Sequence, residues 1–107
     1  MALNSILSTA VSGLDANSKR AQTAANNIVN VNTPEFKASS VETTTVVSGG
    51  GIAGGSGVQA QILTGDQPTS LVREFTRLIE AEAAYKANAQ VVRTVEDLNE
   101  DTLDILT

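Results

Sequence analysis

The chain has 107 residues, 41% of them apolar but only 3% aromatic, with no cysteine, no histidine and a formal net charge of −5. That length holds one domain at most, and so few aromatic residues exclude a broad globular core or a roomy apolar cleft. Thiolate, disulfide and imidazole chemistry are absent with those two residue types, no cofactor is implied, and seven scattered Lys and Arg on an acidic chain do not make the basic face that nucleic acid needs.

The opening MALNSILSTAVSGL has neither the basic segment nor the continuous apolar core of a cleaved secretion signal. No stretch approaches the roughly 20 apolar residues that span a bilayer. Any export is therefore expected without a cleaved signal peptide, and no direct membrane insertion is expected. Leu3, Leu7, Ala10, Leu14, Asn17, Ala21, Ala24, Ile28 and Val31 follow one another at 4-3 spacing, the pattern of a coiled-coil seam. Asn17 is its one polar member, and Ile6 and Val11 widen the stripe. As a single helix, residues 3–31 would extend about 43 Å, more than a domain this small can bury alone.

The helix runs into AANNIVNVNTPEFK, residues 24–37. Asparagine amides compete with the backbone for hydrogen bonds, so Asn30 and Asn32 are expected to help end the helix, with Pro34 making the stop firm. Asn26 and Asn27 sit inside the repeat, one turn earlier. Amides beside an apolar seam suit an interface between helices of different chains, where each can satisfy a neighbour's backbone. Asn27→Ala is accordingly expected to leave helicity nearly unchanged and to impair assembly.

The β-branched run Val41 to Val47 and the alternation Val58, Ala60, Ile62 predict two strands joined by SGGGIAGGSG. Such a hairpin is marginal without a supporting face. The glycine run lacks the GKS or GKT ending of a phosphate cradle and precedes no strand-to-helix transition, so it is expected to be a flexible loop.

After Pro68, Thr69 or Ser70 can cap a second helix, in which Leu71, Phe75, Leu78, Tyr85, Ala89 and Val92 form a seam and Glu82 is out of keeping. Beyond Val92 the spacing slips to threes at Val95 and Leu98, so either the stripe moves around the helix or the helix changes neighbours. EDLNEDTLD, residues 96–104, sets five carboxylates near the C-terminal end, where the helix dipole disfavours them. This is either a solubilising face or an end awaiting basic groups such as Lys19 and Arg20 of another subunit. Ser5, Ser8 and Ser12 have no histidine base, Glu80 and Glu82 lie on different helix faces, and no enzyme is expected. Arg73 and Arg77 with Glu74 and Glu80 read as solvent-facing pairs at helical spacing.

SILSTAVSGLDANSKRAQTAANN followed by AANNIVNVNTPEFK resembles the N-terminal signature of the bacterial flagellar axial proteins of rod, hook and hook-associated type. REFTRLIEAEAAYKANAQVVRTVEDLNEDTLDIL resembles their C-terminal signature. The resemblance implies a mainly α fold in which long N- and C-terminal helices pair as a coiled coil and pack beside those of neighbouring subunits. The expected division is an N-terminal axial helix over 1–34, an extended or hairpin insert over 35–70 and a C-terminal axial helix over 71–107. It also implies a structural subunit of the basal-body rod or rod–hook region. Such a subunit would partner itself and other axial proteins, and would be exported unfolded and uncleaved by the flagellar type III apparatus to the basal body.

On that footing Leu3, Leu7, Leu14, Ile28, Phe75, Leu78, Tyr85 and Val92 are expected in the pairing seam. Asn26, Asn27, Asn30, Asn32, Pro34, Phe36 and Asn88 are expected at contacts between subunits. The insert is short for a hook or distal-rod protein and closer in size to a proximal rod component. Glu35 stands where the family has a glycine, which strains the turn if that residue takes positive φ. The alternative is a small adaptor or assembly regulator that imitates the axial coiled coil without joining the tube.

Overall fold

The computed structural model describes residues 2–47 and 56–106, with the side chains of 2–4 and 56 outside the description. Leu3 thus contributes backbone but no side chain here, and most of the expected glycine loop lies outside the described residues. Four elements follow in order: α1, Ala2–Val29; β1, Ser39–Val47; β2, Ser56–Thr64; and α2, Leu71–Leu106. This is the expected mainly α architecture of two long helices flanking a two-stranded hairpin.

α1 is the middle layer. It packs against α2 on one side and both strands on another, and α2 approaches neither strand among the described residues. The helices run antiparallel, since Gly13 of α1 meets Asn88 of α2 while Thr23 and Ala24 line a cavity with Glu74 and Ala81. The molecule is elongated, 62 × 29 × 14 Å, with a radius of gyration of 17.6 Å. A compact chain of this length would have about 13 Å.

The two faces of α1 explain that layering. Leu7, Ala10, Leu14, Asn17, Ala21, Ala24 and Ile28 are all buried or half-buried on the 4-3 line toward α2. About a third of a turn round, Ala16, Thr23 and Asn27 are buried beneath the hairpin. The hairpin pairs antiparallel with Val41 opposite Ile62, Thr43 opposite Ala60 and Thr45 opposite Val58. Val41, Thr43, Val58 and Ala60 are half-buried while Glu42, Thr44, Gln59 and Gln61 are exposed, the period-two alternation of a sheet supported on one face. α1 supplies the support that two strands lack by themselves.

α1 ends through side chains of its own last turn. The Asn26 carbonyl accepts from the Asn30 backbone N–H at 3.2 Å and from Asn30 Nδ2 at 2.9 Å, and Asn30 Oδ1 accepts from Thr33 Oγ1 at 3.0 Å. Glu35 then takes φ of 62°, alone among the described non-glycine residues in having positive φ. The strain anticipated at the family's glycine position is therefore present. At the far side of the hairpin, Gly65 N–H donates to Ala38 O at 3.0 Å, and a Cβ at Gly65 would stand 2.7 Å from that same oxygen. Only glycine permits this approach.

α2 begins where the Ser70 carbonyl accepts the first helical bond, from Glu74 N–H at 2.9 Å. Ser70 therefore holds the capping position, and the buried Thr69 hydroxyl has no hydrogen-bond partner among the described residues.

Candidate assembly surface

The pairing face of α2 runs through Glu74, Ala81 and Val95, all buried, with Asn88 half-buried at the same heptad position. Leu71, Leu78, Tyr85 and Val92 alternate with them at three-four spacing, Leu78 and Val92 half-buried and Leu71 and Tyr85 more open. Val92 to Val95 is thus a regular step of one seam, and the apparent slip in the repeat disappears. Phe75, Glu82 and Ala89 lie one residue beyond the buried line, and Phe75 remains 49% exposed.

Small and polar groups make the helix pair close. At Gly13 a Cβ would stand 2.7 Å from Asn88 Nδ2 and 3.0 Å from its Cγ, so the amide of Asn88 lies flat over a helix surface without side chain. A mid-helix glycine costs about 1 kcal/mol relative to alanine, and here it opens the space that Asn88 fills.

Glu74 is the other polar member of the seam. It is 1% exposed, and its Oε1 accepts from Arg77 Nη1 at 3.0 Å while Oε2 has no partner among the described residues. Glu74 and Arg77 thus form one buried-to-surface pair, unlike the exposed pairs Lys19–Asp15 at 3.2 Å and Lys86–Glu82 at 3.1 Å. Pairs of the exposed kind contribute only tenths of a kcal/mol.

Asn27 is 0% exposed. Its Nδ2 donates to Ser39 O at 2.7 Å and its Oδ1 accepts from Ser39 N–H at 2.9 Å. The amide thus satisfies both backbone groups of the first β1 residue, as a neighbouring strand would. Satisfaction of a backbone was the expected role, and the backbone is this chain's own. Two further ties fix the hairpin to α1: Ser12 Oγ accepts from Val58 N–H at 2.9 Å, and Arg20 Nη2 donates to Thr43 Oγ1 at 3.0 Å.

The remaining expected contact residues sit on the surface around the end of α1. Asn26, Asn32 and Pro34 are exposed, and Asn30 and Phe36 are half-buried. Sequence reasoning did not single out Gly13, named Ser12 only as a hydroxyl without a base, passed over Ala81, and read Glu74 as a solvent-facing partner of Arg77, although Glu74 is 1% exposed. A strict a/d reading of α2 through 71, 74, 78, 81, 85, 88, 92 and 95 would have found the last two, had a glutamate been admitted to a packing line.

Away from α1, the far side of α2 is uncovered and in part apolar, with Val72 and Ile79 exposed. From the Gly13–Asn88 crossing α1 has 11 residues left toward Ala2 whereas α2 has 18 toward Leu106. About seven residues of α2 therefore pass the described start of α1, some 10 Å of helix. Leu103, Ile105 and Leu106 are exposed there, Ile105 by 85%. No described helix is long and apolar enough to cross a membrane. The described residues hold no cluster of three or more His, Cys, Asp or Glu suited to a metal ion.

Two protein-family descriptions match the chain. Flagella basal body rod protein matches residues 7–37, and flagellar basal body rod FlgEFG protein C-terminal matches residues 69–105. Together they cover roughly two thirds of the sequence and fall on the two partners of the helix pair. Comparison with curated individual proteins finds no match.

Proposed function

From a chain that belongs to the bacterial flagellar rod/hook family, and hence has a structural role in the flagellar rod of the basal body, we propose a more specific part. It is a subunit of the rod or rod–hook region that self-assembles through its terminal helices into a hollow helical tube and transmits torque. One observation carries the reading. The two family-matched segments are the two halves of a single antiparallel helix pair, and that pair leaves an apolar face and an apolar helix end that no other described residue covers.

Within the subunit, Leu7, Leu14, Ile28, Leu78, Tyr85 and Val92, with Leu3 by its place in the repeat, form the pairing seam as a coiled coil. Asn26, Asn30, Asn32, Pro34, Phe36 and the open side of Phe75 meet neighbouring subunits. Partners are other copies and other axial proteins, and the chain passes the flagellar type III apparatus uncleaved. No catalysis is part of this role.

The test is quantitative mass spectrometry of purified hook–basal bodies, with this chain counted against a known rod subunit and its intact mass recorded. Several uncleaved copies per particle that survive a high-salt wash are expected. Absence from washed particles would overturn the tube-subunit reading in favour of an adaptor.

A further inference from the structure

Because α1 stands between α2 and the hairpin, and those two do not meet, a valley runs along α1 between them. Its larger stretch encloses about 590 Å³. Small residues, Ala10, Gly13 and Ala16, form its floor, with Thr43 and Val58 on the hairpin wall and Val91 on the α2 wall. Arg20 closes it at one end and is the sole charged residue among the described ones that line it. From Ser5 to Arg20 the floor is about 23 Å long.

The chain carries one segment of opposite charge that is short enough to lie within that floor. From Glu96 to Leu106, about 15 Å of helix, α2 contains five carboxylates and no Lys or Arg. Glu96, Asp97, Glu100 and Asp101 are exposed beside the exposed Leu98, Ile105 and Leu106. A helix end that concentrates negative charge at the negative pole of its own dipole is unfavourable alone, and a cation supplied from outside relieves it. The floor of small residues admits the backbone of such a helix closely, and the apolar side chains then find the Ala, Val and Ile atoms of the valley.

We propose that the C-terminal end of α2 of a second copy lies in this valley, with its carboxylates at Arg20 and its leucine and isoleucine side chains on the floor. The inference rests on the self-assembly reading and names the contact through which it occurs.

The chain has no cysteine, so single-cysteine copies report contacts without background. Full-length Ile105→Cys is mixed with full-length Ile6→Cys, in the valley, or with Ala83→Cys, on the exposed side of α2 away from α1, and joined with a short bismaleimide. The expected result is cross-linked Ile105–Ile6 dimer at least fivefold over Ile105–Ala83 dimer. In parallel, Glu96→Arg with Asp97→Arg, which changes only exposed positions, should lower self-association at least tenfold, and Arg20→Glu in the other copy should restore it.

Copies that associate but cross-link equally or preferentially through Ala83 would overturn the valley contact and leave self-assembly standing. Wild-type chains that stay monomeric at every concentration would overturn both. Unchanged association in the tail charge variant would overturn the part played by the carboxylates.

Discussion

α1 and α2 each pack along a heptad line, unbroken but for Asn17 in α1 and interrupted by Glu74 and Asn88 in α2, and α1 is enclosed on two adjoining faces where α2 is enclosed on one. Every 4-3 position of α1 from Leu7 to Ile28 is buried or half-buried, and a second line beneath the hairpin adds Ala16, Thr23 and Asn27. α2 buries the line Glu74, Ala81, Val95 and exposes Val72, Phe75, Ile79 and its last turns. An apolar stripe thus states that a face wants a partner. It does not state whether the partner is in the same chain. In this molecule the interior contacts are made largely by small and polar groups that satisfy one another in detail, while much of the larger apolar area faces outward.

The contrast breaks most sharply at Asn27. Asn27→Ala removes both bonds to Ser39 and leaves a backbone N–H and carbonyl near the interior without partners, at a cost of about 3 kcal/mol. On α2, Phe75→Ser should cost only about 1 kcal/mol, since half of the ring is already in solvent. Urea unfolding followed by circular dichroism at the helix band checks both, the chain having no tryptophan to follow instead. Equal losses at the two positions would erase the distinction between a closed α1 and an open α2.

Glu74 and Arg77 sharpen it, because they test the one closed face of α2. Arg77→Ala would strand a buried carboxylate whose second oxygen already has no partner among the described residues, and should cost about 2 kcal/mol, below the roughly 3 kcal/mol of a fully buried pair because Arg77 is partly solvated. Glu74→Gln keeps an acceptor for Arg77 and removes the buried charge, so it should stay within about 0.5 kcal/mol of the parent or exceed it. The same unfolding measurement decides. A Glu74→Gln loss as large as that of Arg77→Ala would show that the charge itself, not its stranding, matters to the pair.

The order helix, hairpin, helix was legible in the sequence because 4-3 spacing, β-branched runs and Pro68 each act locally. The α2 packing line was only half legible. Leu78 and Val92 announce themselves by hydropathy, whereas Glu74 and Asn88 sit in the same line as polar residues, made acceptable by Arg77 and by the bare surface of Gly13. Arg77 was legible as a partner of Glu74 at helical spacing and only the burial of that pair was not, whereas nothing local to Asn88 reveals Gly13, which stands on the other helix. Asn27 shows the same limit. Its position inside the repeat marked a backbone to be satisfied, but Ser39 becomes its partner only after the chain has turned through Glu35.

That turn gives the smallest expected effect and one of opposite sign. Glu35 holds φ of 62°, a conformation that costs an L-residue about 1 to 2 kcal/mol and glycine nothing. Glycine also gains freedom in the unfolded chain, which takes back part of the difference, so Glu35→Gly should stabilise by about 0.5 kcal/mol. Asparagine tolerates the same backbone better than glutamate, and a β-branched residue worse. Glu35→Gly should therefore rank above Glu35→Asn, then the parent, then Glu35→Val. Thermal midpoints of the four proteins measure the order. A flat series would mean that the turn relaxes freely and that the closed packing of α1 against β1 does not depend on how tightly the chain reverses between them.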